Sequence, residues 1–245
     1  MYPVLVQFGD VSIRSYAVAV IIGVIVAVWI RRHEVERVGL QSLPGHRWVL
    51  LGALLGAVVG AKVGMVLFEP MVSWQETLWR SLSLDFAGKT VVGGLVGGYL
   101  GVEISKRWVG IRRSTGDGFA VALPVAQAVG RLGCLLEGCC YGVATELPWA
   151  IEMHGSARHP VQLYEGFLDL ALAAWLWSIR DRPMPSGHLF RRYLVGYGSI
   201  RFGVEFFRGD PVRVLGPLNA VQWLCLAAVV GFAVLIVRGE RRQTA

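Results

Sequence analysis

YAVAVIIGVIVAVWIRR, residues 16 to 32, is an uncharged run closed by two arginines. A run of this kind, near the roughly 20 residues that cross about 30 Å of hydrocarbon, reads as a membrane span. Its pattern repeats six more times along the chain. The runs are about Trp48–Phe68, ending at Glu69-Pro70; Val91–Ile104, short and glycine-rich, ending at Lys106-Arg107; Phe119–Leu136, which contains Arg131; Val161–Ile179, ending at Arg180; Tyr193–Phe207, which carries Arg201 and Glu205; and Leu218–Val237, ending at Arg238. The spacing predicts an all-α fold, a polytopic membrane protein of about seven transmembrane helices. Residues 1–245 form a single integral membrane domain in this reading.

Composition agrees. Of 245 residues, 54% are hydrophobic and only 17% charged, against about 25% charged in soluble domains. The mean hydropathy is +0.53. A net charge of +7 could point to nucleic acid, but the basic residues sit at the ends of apolar runs, as the positive-inside rule describes. The segments after the first, third, fifth and seventh runs hold Arg31, Arg32, Arg37, Arg47, Lys106, Arg107, Arg112, Arg113, Arg180, Arg182, Arg191, Arg192, Arg238, Arg241 and Arg242. The opposite segments hold Arg80, Lys89, Arg158, Arg208 and Arg213. The asymmetry places the amino terminus outside and the carboxyl terminus in the cytoplasm. Loops near 69–90 and 143–160 then face outward, and Trp74 and Trp79 are interface anchors. The opening MYPVLVQFGDVS lacks a basic n-region, so no cleavable signal peptide is expected.

Glycines recur every four residues at Gly52, Gly56, Gly60 and Gly64, and again at Gly93, Gly97 and Gly101, with Gly94 and Gly98 beside them. Small residues at this spacing let helices approach closely in lipid. A second reading gives Gly93 and Gly94 to a lipid headgroup bound at backbone amides.

Charges inside the runs bear on function. Lys62, Arg131, Glu137, Glu165, Arg201 and Glu205 fall within or at the rims of spans. A central charge costs about 3 kcal/mol on insertion scales. Arg201 and Glu205, four apart, can pair along one helix, yet buried pairs add little net stability, so several in one bundle point to a site. Arginine suits phosphate because its planar fork donates two parallel hydrogen bonds. The residues therefore indicate an Arg-lined cavity for an anionic lipid or another membrane-borne anion. They leave enzyme, flippase and transporter open.

GRLGCLLEGCCYG, residues 130–142, holds Arg131, Glu137 and three cysteines. Cys134, Cys139 and Cys140 admit packing as small weakly polar residues, a disulfide, a metal site without a clear fourth ligand nearby, or a catalytic thiol at Cys139. Packing is the expected reading, with the thiols less essential than Arg131 and no metal.

Four blocks together are specific: IRSYAVAV (13–20), GRLGCLLEGCCYG (130–142), RHPVQLYEG (158–166) and GYGSIRFGVEFFR (196–208). In this order and on these runs the chain resembles the bacterial phosphatidylglycerol–prolipoprotein diacylglyceryl transferases, a seven-span family. The resemblance implies a multi-pass protein of the bacterial cytoplasmic (inner) membrane, surrounded by membrane lipids. Its substrates would be phosphatidylglycerol and a lipobox-containing preprolipoprotein, joined through a cysteine thioether as glycerol phosphate leaves. No nucleic acid and no cofactor are implied. It maps essential arginines onto Arg131 and Arg201, an acid onto Glu205, and further site residues onto Tyr16, Gly142, His159, Gln162, Tyr164, Glu165 and Arg208.

The chain also departs from the family pattern. Family members usually have Asn where Cys134 and Glu137 stand, Glu where Cys139 stands, and a histidine at Val92. Glu137 could supply the missing carboxylate from two residues earlier. Two helical residues subtend about 200°, so this needs an irregular backbone, which Gly138 could provide. Arg131 and Arg201 would hold the phosphate, while Glu205 or Glu137 takes the thiol proton or orients the arginines. The alternative on the same scaffold is a lipid or anion transporter, or a lipid transferase with another acceptor.

Overall fold

The computed structural model describes residues 2–8, 11–68, 91–209 and 213–244. Its helices are α1 (Ser15–Arg37), α2 (His46–Phe68), α3 (Val91–Trp108), α4 (Ala122–Glu137), α5 (Val161–Ile179), α6 (His188–Val204) and α7 (Ala220–Thr244). Each apolar run falls on one of them. Among the described residues, three stretches, Ser15–Arg37, His46–Gly64 and Ala220–Arg241, are long and apolar enough to cross a membrane. The helices α4 and α6 are short, at 16 and 17 residues. Loop 69–90, with Trp74 and Trp79, lies outside the described residues.

Short strands are added to the helices. Among the described residues they form three antiparallel hairpins: β1 (Val4–Phe8) with β2 (Val11–Arg14), β3 (Ile151–Met153) with β4 (Ser156–Arg158), and β5 (Arg213–Leu215) with β6 (Leu218–Asn219). The β3–β4 hairpin occupies the segment predicted as a loop near 143–160.

The chain divides into two compact units, residues 39–113 and residues 1–38 with 114–245. In the first, α2 and α3 run antiparallel with glycine against glycine. A Cβ on Gly97 would stand 2.6 Å from the Gly60 Cα, and one on Gly56 would stand 3.0 Å from the Gly97 carbonyl carbon. The stripe is therefore a packing seam, where van der Waals contact between backbones replaces side-chain interdigitation. Gly93 lies on it with its carbonyl toward Gly60, and Gly94 meets Ala57 and Ala61.

In the second unit, α1 packs on α4, α4 on α5, α5 on α6 and α6 on α7. Small residues again set the spacing: a Cβ on Gly23 of α1 would lie 3.1 Å from the Ala126 carbonyl oxygen of α4. Polar residues fix the helix ends. Asp117 accepts from the backbone N–H groups of Gly187 (2.6 Å) and Phe190 (3.0 Å), closing the start of α6 with a carboxylate where free amides and the helix dipole favour one. Asn219 and Gln222 exchange side-chain-to-backbone bonds of 3.1 and 2.9 Å, a reciprocal cap on α7. At the far end of α1, buried Glu34 accepts from Arg37 (2.9 Å) and from Arg180 just past α5 (2.5 Å). Two runs predicted to end in arginine on the same side thus close on one carboxylate.

Candidate functional site

The site is built on α5, from the RHPVQLYE stretch upward. Pro160 precedes the first turn of α5, and the helix then carries Glu165 into the interior, fully buried at 0% exposure. Arg131 of α4 donates Nη2 to Glu165 Oε1 at 2.6 Å, and Arg201 of α6 donates Nη1 to Oε2 at 3.3 Å. Arg201 also donates Nη2 to Glu205 Oε2 at 2.6 Å, four residues on and just past the end of α6. Asn219 donates Nδ2 to the other Glu205 oxygen at 3.1 Å, and Arg208 approaches Glu205 at 3.9 Å. Three guanidiniums and two carboxylates form this ion-paired chain. With all five ionised it carries one positive charge, which matches the single negative charge of a phosphodiester.

Arg131 and Arg201 stand on separate helices, and one carboxylate brings them together. Arg201 and Glu205 pair as their i, i+4 spacing indicates. Asp169, one turn beyond Glu165 on α5, is also fully buried, and neither of its oxygens accepts a hydrogen bond among the described residues. The signal for Asp169 was present, a carboxylate inside an apolar run, and sequence reasoning missed it. Asn219 was missed too; its signal was the Asn-x-x-Gln spacing before an apolar helix.

Glu137 is held elsewhere than by Arg131. Arg14, at the end of β2, donates Nε to Glu137 Oε1 at 2.7 Å, and the Tyr2 N–H donates to the Leu136 carbonyl at 3.0 Å. The amino-terminal hairpin is thereby hooked to the end of α4. Glu137 therefore pairs with Arg14, while Arg131 pairs with Glu165. Arg14 was not legible as its partner, since it lies outside the apolar runs.

Around this core, three loop segments knit together through their backbones. Gly142 donates to the His159 carbonyl (3.1 Å), Val143 to Phe207 (2.9 Å) and His159 to Val143 (3.1 Å). Only glycine fits at 142: a Cβ there would stand 2.6 Å from the His159 Cβ and 2.7 Å from the Phe207 oxygen. Gln162, buried, donates Nε2 to the Cys139 carbonyl at 2.6 Å. The Tyr164 hydroxyl meets His159 Nδ1 at 3.2 Å and accepts from Trp149 Nε1 at 2.8 Å. The Phe207 ring meets His159 at a tilt of 59°, with centroids 5.3 Å apart. Tyr16 of α1 lies against α4 where a Cβ on Gly133 would be 3.3 Å from its Cα, and its electrostatic neighbours are Arg131, Cys134, Cys139 and Cys140.

The cysteine segment ends α4 in a Schellman turn. Gly138 is left-handed at φ 75°, Cys139 donates to the Cys134 carbonyl at 3.0 Å and Gly138 to Leu135 at 3.2 Å, which are the two bonds that define the motif. The turn folds Cys139 back over Cys134. Gly93 and Gly94 lie in the other compact unit, on the seam already described.

Residues 3–238 match the family model described as prolipoprotein diacylglyceryl transferase. Among curated proteins, the phosphatidylglycerol–prolipoprotein diacylglyceryl transferase of Cupriavidus metallidurans is 31% identical over 98% of this chain and 94% of its own length. The enzyme of that name from Photobacterium profundum is 30% identical over 96% of this chain and 89% of its own. The Clostridium tetani enzyme of the same name is 27% identical over 99% and 100%.

Proposed function

The chain belongs to the prolipoprotein diacylglyceryl transferase family, and from that premise we propose how its residues carry the reaction. It is a transferase that moves a diacylglyceryl group from phosphatidylglycerol to a prolipoprotein, a step of lipoprotein maturation. The acceptor is the cysteine thiol of a lipobox-containing preprolipoprotein, the product is a thioether, and glycerol phosphate leaves. The protein is one multi-pass domain of the bacterial cytoplasmic membrane. Its seven helices cross the membrane with the amino terminus outside.

The observation that carries the site assignment is the meeting of Arg131 and Arg201 on Glu165. Two guanidiniums fixed side by side are oriented before substrate arrives. The phosphate of phosphatidylglycerol docks against their remaining N–H donors; the Arg201 Nε makes no hydrogen bond among the described residues. As the glycerol C–O bond breaks, negative charge grows on the leaving phosphate oxygen, and donors already in place stabilise it without reorganisation. Glu165 and Glu205 hold the arginines in register, and Glu205 takes the thiol proton. Arg208 flanks the phosphate.

Tyr16, Gly142, His159, Gln162 and Tyr164 shape the approach for lipid and acceptor. Glu137 acts through Arg14, holding the amino-terminal hairpin at the site's edge. Gly93 and Gly94, in the first turn of α3, contact a lipid headgroup through their backbone.

The test is direct. Purified protein is incubated with phosphatidylglycerol and a lipobox peptide, and the peptide is weighed by mass spectrometry. A diacylglyceryl increment on the cysteine-containing peptide, absent with its serine version, is the expected result. No increment from any phosphatidylglycerol would sink the assignment.

A further inference from the structure

Cys134, Cys139 and Cys140 converge in space. Their three Sγ atoms lie within 4.8 Å of one another, and all three are free thiols. The backbone causes the convergence. Cys134 sits on the last turn of α4, the Schellman turn at Gly138 reverses the chain, and Cys140 adopts φ 60°, a left-handed conformation that costs a non-glycine residue on the order of 1 kcal/mol or more. Gln162 then pins the Cys139 carbonyl from α5. Independent small packing residues would not need a strained backbone and a buried amide to gather their sulfur atoms.

Tetrahedral zinc with Zn–S bonds of about 2.3 Å sets its sulfurs about 3.8 Å apart. The cluster is therefore within about 1 Å of closing on one ion. Cys140 has the other two thiols as hydrogen-bond neighbours and Arg208 and Arg131 as electrostatic neighbours. Those two cations offset the net negative charge of a zinc ion bound by three thiolates. Arg131 precedes Cys134 by one helical turn, so the cluster borders the arginine site.

We propose that Cys134, Cys139 and Cys140 bind one zinc ion whose fourth position takes the cysteine thiolate of the incoming prolipoprotein. The inference rests on the transferase reading and assigns the activation of its nucleophile. Three protein ligands with an open fourth position are the pattern of a catalytic rather than a structural zinc site. Among the described residues no fourth ligand joins the three thiols, and the substrate fills that position.

The step balances without an oxidant or reductant. The acceptor thiol loses its proton on binding the ion. Its sulfur attacks the glycerol carbon of the diacylglyceryl group, forming the C–S bond. The bond from that carbon to the phosphate oxygen breaks, and its electron pair leaves with the oxygen. The thiol proton passes to Glu205 and from there to the departing glycerol phosphate. The thioether has no thiolate charge, so it binds zinc weakly and the product leaves.

The experiment uses the whole chain purified under reducing conditions in detergent with phosphatidylglycerol. Metal content is measured by mass spectrometry and the sulfur shell by zinc-edge X-ray absorption. One zinc per chain is expected, with three sulfurs at rest and four after a lipobox peptide is added, but still three with the peptide's serine version. Cys140→Ser should lose the ion and lower transfer by about 10²-fold, the scale of a lost proton-transfer group. Chelation of the unmutated protein should do the same and be reversed by zinc, which keeps the test clear of any folding defect in the variant. No bound zinc, an unchanged sulfur shell, or full transfer by chelated zinc-free protein overturns the proposal while leaving the transferase reading in place. Zinc and peptide thiol bound together with no transfer from phosphatidylglycerol would instead overturn the transferase reading, and the attack step with it.

Discussion

Arg131 Nη2 lies 2.6 Å from Glu165 Oε1, joining α4 to α5 at a point where both residues are almost wholly out of contact with solvent. Arg131→Gln removes one phosphate donor yet leaves Glu165 with Arg201. The expected result is a fall in transfer of about 10² to 10³-fold, the usual loss for one transition-state donor, with monodisperse protein on size exclusion. Near-normal transfer would refute the phosphate clamp.

Glu165→Ala has the opposite emphasis. It strips two buried guanidiniums of their shared counter-charge, and breaking a buried pair from one side costs about 3 to 5 kcal/mol. Thermal unfolding in detergent should drop further for Glu165→Ala than for Arg131→Gln. Because the residues act as one network, Arg131→Gln combined with Glu165→Ala should be less harmful than the sum of the two alone.

Asp169→Leu should be well tolerated by the fold. The Asp169 oxygens are buried and accept no hydrogen bond among the described residues, and removing an unsatisfied polar group can be neutral or stabilising. A melting temperature well below that of the unmutated protein would show that Asp169 has a polar partner in the folded state.

Gly142→Ala inserts a methyl group into a gap of 2.6 to 2.7 Å between His159, Phe207 and Val161. Overpacking of this kind costs about 1 to 3 kcal/mol. Limited proteolysis should cut the 139–160 segment faster in the variant than in the unmutated chain, and equal cutting rates would count against the backbone knot.

Thiols engineered at Gly110 and Pro185 test the orientation. With the amino terminus outside, neither position should react with an impermeant maleimide in intact cells, and both should react after lysis. Labelling of either from outside would overturn the topology.

The helices were legible because long apolar runs leave few alternatives in a chain this hydrophobic. Pairing along one helix was legible for the same local reason: Arg201 and Glu205 need only their spacing. Pairing between helices was not. That Glu165 meets Arg131 depends on the rotation of α5 against α4, which no local pattern states. Arg14 and Glu137 were hidden by a hairpin of strands only four and five residues long, too short to signal against the apolar background. Gly138 announced a break in α4, yet the meeting of the three thiols needed the geometry of the turn as well as its presence.

The arrangement of counter-charges also bears on biosynthesis. Arg201 and Glu205 travel on one segment, so on the seven-span reading α6 would reach the lipid already carrying its own neutraliser. Arg131 does not: its partner Glu165 lies on the following helix, which is synthesised later. The physical expectation is that α4 alone inserts poorly and is retained once α5 emerges beside it, since an unpaired central arginine costs about 3 kcal/mol in the translocation machinery. Glycosylation mapping of truncated chains ending after Glu137 and after Ile179 would measure this, and efficient insertion of the shorter chain would show that α4 needs no such helper.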